Sequence, residues 1–402
     1  MLRGTYGASE TTRMLRPLFQ LLFGGAAVAA TRRASLASHK QVFMKRLLCI
    51  VFVIACSRES TPSITFGAPG PLNEAYGQMN QRGVQLAEAE INALPERKDH
   101  PIRIQYVDDE GSGTKASAIA QKFVDSPGVL AVIGHVNSGP AVAASAVYDG
   151  HLAAVATSAT SPELSGISKW TFRVISSDSV NGVALAKFAE RRGRKRAAIL
   201  YENDSYGRGL AESFRKAFTG QVINMDPIDD VKEQPFEAFV SFFKQQKPDV
   251  VFVAATDISG RPFLQEVRRQ KLESDLLGGD GWSLLATDTT LAEGVFTGVP
   301  FTPDDPRAEA QEFVRAFQKR FNMRPDHTAA LAYDATKLLY KAAINGPTRA
   351  RIRDYLASLT AETAYQGVTG PIYFRPDGDP VGRSVVVTRV EHGALRISEG
   401  GK

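Results

Sequence analysis

The feature that most constrains the fold of this sequence is a regular alternation of short apolar runs with amphipathic segments. The apolar runs have the length of buried strands, and the amphipathic segments have helical spacing. The predicted strands are Ser63–Ala68, Ile102–Tyr106, Val129–Ile133, Leu152–Ala156, Ala197–Tyr201, Val222–Met225, Val250–Ala254 and Leu276–Leu277. The predicted helices are Tyr76–Leu94, Thr114–Ser126, Ser138–Asp149, Tyr206–Phe218, Pro235–Gln246, Gly260–Lys271, Pro306–Phe321 and Thr328–Asn345. This order predicts an α/β fold with doubly wound parallel sheets, and a looser stretch near residues 170–178 divides it into two lobes.

The first 62 residues are interpreted as a leader, an export signal and a tether. Met44-Lys-Arg precedes an apolar run, Leu47–Ala55, which is too short to cross a bilayer and has the length of a signal-peptide core. The run ends in Val-Ile-Ala-Cys56, which resembles a lipobox and predicts lipidation of Cys56. The alternative is a buried strand with a structural cysteine. Residues 1–43 are interpreted as the product of a wrongly assigned start.

The distribution of charge argues against a nucleic-acid partner. The formal net charge is +5, but residues 1–56 hold eight of the 48 basic residues and one of the 43 acidic residues. The rest of the chain is therefore slightly acidic and has no positive field for phosphates. Both cysteines also lie in the leader, at 49 and 56, so the body has no disulfide and no thiolate metal site.

The sequence carries no recognisable enzyme signature. It has no phosphate loop, no GxGxxG that opens a helix, and no GxSxG nucleophile elbow. Its histidines lack the spacing of metal ligands. We therefore expect no catalytic activity, no cofactor and no metal. A rival interpretation as an enzyme would need a nucleophile and a base in the cleft.

Polar residues follow the predicted strands at the points where ligands bind in open α/β sheets. In the first lobe, Ser138, Ser158 and Thr160 offer hydroxyl groups and backbone N–H groups, which suit a carboxylate. In the second lobe, Asp280 lies between glycines and Tyr206 offers an aromatic ring, which suit an ammonium group. Together they predict a site for an amino-acid head group. As alternatives, Ser158, Thr160 and Asp280 could be helix caps and Tyr206 a hydrophobic staple.

From about Ser63 to Val390 the sequence resembles the leucine/isoleucine/valine-binding type of periplasmic binding protein, the solute receptors of ABC importers. Each matching phrase is short, but their order and spacing are specific. The phrases are Gly67-Ala-Pro-Gly-Pro-Leu, Tyr76-Gly, Tyr106-Val-Asp-Asp, Val132-Ile-Gly-His, Ala159-Thr-Ser-Pro-Glu-Leu, Tyr206-Gly-Arg-Gly, Ala292-Glu-Gly, Tyr333-Asp-Ala and Gly370-Pro with Phe374.

The resemblance implies a role for each matching position. Ser138 would contact the ligand carboxylate, and the backbone carbonyl of Ser158 would accept from the ammonium. Thr160, which follows Ala159, would contact the head group through its backbone and hydroxyl. Tyr206 and Asp280 would close on the ammonium from the second lobe. Tyr76 and Thr256 would flank the side-chain pocket.

Some positions depart from the family pattern. Thr256 replaces a tyrosine, and Asp280 is one methylene shorter than the usual glutamate. Asn137 and the Glu110–Gly111 stretch lack the cysteines that form a disulfide in some members. These departures preserve the head-group site and put branched-chain specificity in doubt.

The implied architecture is two doubly wound lobes joined by three crossovers, the type I fold of these receptors. Lobe I would span 63–176 and 302–385, and lobe II 177–301 and 386–402. The protein would be exported to the periplasm or cell surface and held at a membrane by its lipid. It would bind an amino acid, of branched-chain type or a related small polar solute, and deliver it to ABC permease subunits. A ligand sensor on the same fold is the alternative.

Overall fold

The structure is a computed structural model that describes residues 64–98 and 100–398. Its strands are β1 (Thr65–Gly70), β2 (Arg103–Asp108), β3 (Val129–Ile133), β4 (Ala153–Ala156), β5 (Thr171–Arg173), β6 (Arg196–Glu202), β7 (Gln221–Ile228), β8 (Val250–Ala254), β9 (Asp275–Gly278), β10 (Phe296–Val299), β11 (Tyr365–Gly367), β12 (Gly370–Ile372), β13 (Val386–Glu391) and β14 (Ala394–Ile397). Its α-helices are α1 (Ala75–Asn92), α2 (Gly113–Val124), α3 (Ser138–Tyr148), α4 (Asp178–Arg191), α5 (Ser205–Ala217), α6 (Glu237–Gln246), α7 (Asp257–Gln270), α8 (Thr289–Ala292), α9 (Ala308–Phe321), α10 (His327–Asn345) and α11 (Arg349–Ala357). Short 3-10 helices lie at Pro95–Arg97, Pro162–Leu164 and Asp280–Thr287.

The first sheet has five strands in the order β2-β1-β3-β4-β5, and every pairing is parallel. Its central strands are short apolar runs because helices cover both of their faces. One face packs against α10 and α11 through a cluster that includes Phe66, Ile133, Leu338 and Leu356. The opposite face packs against α2 and α3, where Phe123 and Tyr148 are buried. The α/β fold is therefore confirmed.

The second sheet has seven strands in the order β14-β13-β10-β9-β8-β6-β7 and is mixed. Strands β6 to β10 pair in parallel, but β13 is antiparallel to both β10 and β14. The predicted strands of this sheet, β6 to β9, are parallel as expected, and the antiparallel edge strands β13 and β14 were not predicted. The cause is a hairpin: the two residues between β13 and β14, His392 and Gly393, both have positive φ angles of 53° and 76°. Such a turn matches the twist of paired antiparallel strands.

The chain passes between the two sheets three times in the part described. It leaves the first sheet after β5, returns after β10 to form α9, α10 and α11, and joins the second sheet again at β13. The residue bounds of lobes I and II stay a prediction.

Helix α4 was not predicted, because its first residue falls in the stretch interpreted as loose. Ser177 caps this helix by accepting a hydrogen bond from the Ser179 N–H.

The leader lies outside the described residues, and so does Cys56, the predicted lipidation site. Within residues 64–98 and 100–398, no helix is both long enough and apolar enough to span a bilayer.

Candidate ligand-binding site

A narrow cleft lies at the carboxyl ends of the strands, between the two sheets. This is where open α/β sheets bind ligands. Six of the eight predicted site residues line it: Tyr76, Ser138, Ser158, Tyr206, Thr256 and Asp280. The side chains of Ala159 and Thr160 are buried and are not part of the lining. Other residues that line the cleft are Val136, Asn137, Asp204, Gly281, Ser283, Leu284, His327 and Thr328.

On the side of the first sheet, Ser138 organises the loop that follows β4. Ser138 is the first residue of α3 and is 3% exposed. Its Oγ accepts hydrogen bonds from the backbone N–H groups of Thr160 and Ser161, at 3.2 and 3.1 Å. Because both acceptor positions are used in this way, the hydroxyl proton of Ser138 is available to donate to a ligand.

A buried arginine supports the same loop from behind. Arg173, at the end of β5, is 1% exposed, and its Nη1 donates to the Ser161 carbonyl at 2.8 Å. Its Nε donates to Asp379 Oδ1 at 2.6 Å, and its Nη2 donates to Ser165 Oγ at 2.7 Å. A guanidinium held by three different acceptors is fixed in both position and orientation. The loop is therefore tied to the segment through which the chain passes back to the second sheet.

On the side of the second sheet, Asp280 and Tyr206 form a buried pair. Tyr206, in the first turn of α5, donates its hydroxyl to Asp280 Oδ1 at 3.0 Å, and the Gly281 N–H donates to the same hydroxyl at 3.2 Å. The glycine at 279 permits this approach, because a Cβ there would lie 2.7 Å from the tyrosine hydroxyl. Asp280 is 5% exposed, and burial raises the pKa of its carboxyl.

A second carboxyl lies beneath Asp280. Asp178, the first residue of α4, is fully buried, and its N–H donates to the Thr160 carbonyl at 2.8 Å. Burial raises its pKa well above the ordinary value, and the charge of Asp280 raises it further. Ionising both carboxyl groups in one buried region costs free energy, because the two negative charges repel each other. A nearby cation would lower that cost.

His327 also faces Asp280, from the first residue of α10. Its Nε2 lies 3.7 Å from Asp280 Oδ2, and the residue is 3% exposed. Burial lowers the pKa of this imidazole, although the charge of Asp280 opposes that shift. Since α10 packs on the first sheet, His327 reaches across the cleft to a residue of the second.

Thr256 is oriented by a buried glutamate. Glu202 Oε1 accepts from the Thr256 N–H at 3.1 Å, from Thr256 Oγ1 at 2.7 Å and from Ser259 Oγ at 2.5 Å. Burial raises the pKa of Glu202 to about 7. The three donors fix the end of β8 and the start of α7, where Thr256 enters the lining.

Two buried residues near the site, His135 and Trp282, have structural roles. His135 is buried behind the site, where Nδ1 lies 2.6 Å from Asp109 Oδ2 and Nε2 lies 3.2 Å from the Tyr148 hydroxyl. Trp282 is fully buried in the core of the second sheet against Phe263. In the part of the chain that the structure describes, no group of three or more His, Cys, Asp or Glu residues could hold a metal ion.

Sequence reasoning missed three residues of this site: Asn137, Asp178 and His327. Asn137 was considered only for the cysteine that it replaces, although it lies next to Ser138. His327 follows Asp326, which caps α10 by accepting from the Ala329 N–H at 2.9 Å. An Asp before a helical run is a recognisable start signal, so the position of His327 at a helix start could have been found. Its contact with Asp280 could not.

Comparison with known proteins agrees with this architecture. Residues 64–395 match the family described as periplasmic binding protein. The chain is 28% identical over 346 residues to a Leu/Ile/Val-binding protein homolog of Brucella abortus, covering 83% of this chain and 92% of that one. It is similar to a substrate-binding protein of an ABC transporter from Desulfitobacterium hafniense in complex with Leu, at 29% identity, a TM-score of 0.72, and coverage of 84% and 100%.

A solved branched-chain amino acid transporter substrate-binding protein of Streptococcus pneumoniae, in complex with isoleucine, shares the fold at 24% identity and a TM-score of 0.76. That match covers 83% of this chain and 97% of the other. The family match extends over most of this chain, and it includes both sheets and the whole cleft lining. The chain belongs to the periplasmic binding protein family.

Proposed function

We propose that this protein is an extracytoplasmic receptor that captures an amino acid in the cleft and delivers it to an ABC importer, without catalysing a reaction. The observation that carries the proposal is the buried Asp280, paired with Tyr206 and facing the hydroxyl and backbone groups around Ser138. A buried carboxylate needs a cationic partner, and the opposite side of the cleft suits an anion. An α-amino acid supplies both charges at the required short separation.

The roles follow from this arrangement. Ser138 would donate its hydroxyl proton to the carboxylate, and Ser158 would contact the head group beside it. Asp280 and Tyr206 would hold the ammonium. Tyr76 and Thr256 would contact the side chain. Branched-chain amino acids are the ligands named for the relatives above, and they define the first compounds to test.

The test is isothermal calorimetry of the purified protein with the natural amino acids and with matched acids that lack the amino group, such as 4-methylpentanoate beside leucine. We expect at least one amino acid to bind and its deaminated analogue to bind at least a hundredfold more weakly, because Asp280 would be left unpaired. Equal binding of the two would contradict the head-group assignment. Binding only of carboxylates without an ammonium would overturn the proposal.

We also propose that Cys56 carries the lipid that anchors the mature protein. The lipobox behind a basic and apolar segment supports this, and two acyl chains on one cysteine hold a protein stably at a membrane. Replacing Cys56 with Ser should move the protein from the membrane pellet to the soluble fraction or leave an unprocessed precursor. A native intact mass that retains residues before Cys56 would show the processing site to be wrong.

A further inference from the structure

The cleft lining contains a second hydrogen-bonded polar pair besides Asp280 and Tyr206, formed by Asn137 and Tyr76. Asn137 Nδ2 donates to the Tyr76 hydroxyl at 2.8 Å. Both residues line the cleft, and Asn137 Oδ1 is buried with no hydrogen-bond partner among residues 64–98 and 100–398. A buried carbonyl oxygen without a partner costs free energy unless the ligand supplies a donor.

The hydrogen-bonding groups of Tyr76 and Thr256 indicate which donors and acceptors the ligand must supply. The Tyr76 hydroxyl already accepts a hydrogen bond from Asn137, so its own proton is free to be donated. Thr256 Oγ1 gives its proton to Glu202 at 2.7 Å, so its lone pairs remain available. Among the residues that line the cleft, Asn137 and Thr256 therefore offer acceptors and Tyr76 offers one donor.

The charges of three carboxyl groups act on the Tyr76 hydroxyl. Burial raises the pKa of Tyr76, and the charges of Glu74, Glu202 and Asp257 raise it further, which keeps the phenol protonated and able to donate. An anionic ligand side chain would meet these charges and would bring no donor for Asn137. An ammonium or guanidinium would bring no acceptor for the Tyr76 proton.

We propose, on the basis of the function proposed above, that the ligand's side chain ends in an uncharged group that both donates and accepts hydrogen bonds, a carboxamide or a hydroxyl, and that Asn137 recognises it. Val136 and Leu284, which also line the cleft, would pack against the aliphatic part of that side chain. If the Asn137 amide is turned by 180°, its oxygen and nitrogen exchange places, and the atom without a partner is then the Nδ2 donor. A ligand group that both donates and accepts can pair with Asn137 in either orientation. A branched aliphatic side chain could satisfy neither arrangement.

The experiment compares amino acids that have the same shape and differ in polarity. Calorimetry of the purified wild-type protein would use L-asparagine beside L-leucine, and L-threonine beside L-valine. We expect the polar member of at least one pair to bind about tenfold to a hundredfold more tightly than its apolar isostere, because the apolar one leaves Asn137 unpaired. Leucine or valine binding as tightly as its polar partner in both pairs would overturn the inference and leave the proposed function intact. No binding by any natural amino acid would overturn both.

Two variants provide a test that does not depend on one mutant folding. Asn137→Leu removes the unpaired group at similar volume and should shift the preference towards leucine by about tenfold or more. Tyr76→Phe removes only the phenol group and should weaken the polar ligand more than its apolar isostere. Thermal unfolding of each variant checks that it folds. Unchanged preference in a folded Asn137→Leu protein would contradict the role of Asn137.

Discussion

At the scale of single residues, the cleft is defined by carboxyl groups that folding removes from water. Asp178 is fully buried and Asp280 is 5% exposed, and burial is the first cause of the raised pKa of each. Such groups destabilise the ligand-free protein and are compensated when a cation arrives. Of the two, Asp280 lines the cleft, so an ammonium group bound there would offset the free-energy cost of burying its charge.

The charge of Asp280 is tested by two substitutions. Asp280→Ala should weaken binding of a zwitterionic amino acid by about 2–5 kcal/mol, which is roughly 30-fold to several thousand-fold in affinity, because the ammonium is left unpaired. Asp280→Asn keeps an acceptor for the Tyr206 hydroxyl and removes only the charge. It should therefore weaken binding of the amino acid nearly as much as Asp280→Ala does. Circular dichroism should show an unchanged fold. Calorimetric affinity within twofold of wild type would reduce Asp280 to a structural role.

The raised pKa of Glu202 predicts that the free energy of unfolding of the ligand-free protein depends on pH. Burial raises its pKa from 4.5 to about 7, so the folded state holds a proton that the unfolded state has released across that interval. The stability that this proton contributes is complete below about pH 4.5 and is lost as the pH rises towards 7, by about 3 kcal/mol as an order of magnitude.

Glu202→Gln should remove this contribution and keep the acceptor for Thr256. Chemical unfolding at pH 5 and pH 7 would measure it: the free energy of unfolding should fall more steeply with pH in the wild-type protein than in the variant. Parallel pH profiles would show that Glu202 is ionised to the same extent in the folded and unfolded states.

At the scale of secondary-structure elements, α5 and the Pro162–Leu164 turn touch across the cleft. Ser205 Oγ donates to Glu163 Oε2 at 3.2 Å, and a Cβ on Gly209 would lie 2.6 Å from Pro162 Cδ. A proline ring cannot swing aside, so a side chain at 209 would force the two elements apart. The glycine therefore sets how closely the two sides approach.

Gly209→Ala should weaken ligand binding without unfolding the protein. The clash should cost about 1–3 kcal/mol in the closed form alone, or roughly fivefold to 150-fold in affinity, whereas alanine in a helix is intrinsically favourable. Gly128→Ala is the matched control, because no atom lies within 4 Å of its added Cβ. Calorimetry that gives both variants wild-type affinity would show that the contact does not limit closure.

At the scale of the whole molecule, the cleft lies between two sheets, and the chain passes from one sheet to the other and back. Closure of the cleft would bring Tyr206 and Asp280 onto a ligand that the residues on the side of the first sheet already hold. Only contacts made in the closed state can drive that shift. Tyr206→Ala should therefore weaken binding without abolishing it and reduce compaction by saturating ligand in small-angle scattering. Tyr206→Phe, which keeps the ring, should compact more than the alanine variant. Equal compaction of wild type and Tyr206→Ala would remove Tyr206 from the closing mechanism.

The sequence by itself determined the local elements and the class of the fold. The runs at β3, β4, β6 and β8 were predicted from apolar length. Helices α1 and α2 were predicted from helical spacing, because burial of one face imposes a period on nearby residues. Four residues that line the cleft, Ser138, Ser158, Tyr206 and Asp280, followed from the rule that ligands bind beyond strand ends. Tyr76 and Thr256 followed from the family resemblance. The family resemblance of the matching phrases is confirmed.

Tertiary structure alone decided what lies between distant parts of the chain. Arg173 meets Asp379 across 206 residues, His327 faces Asp280, and β13 pairs antiparallel with β10. Asn137 was visible in the sequence, but its unpaired oxygen was not. Periodicity records which face of an element is buried and carries no information about which partner buries it. That choice depends on how whole elements pack, so the chemistry of the cleft appears only when the two sheets stand opposite each other.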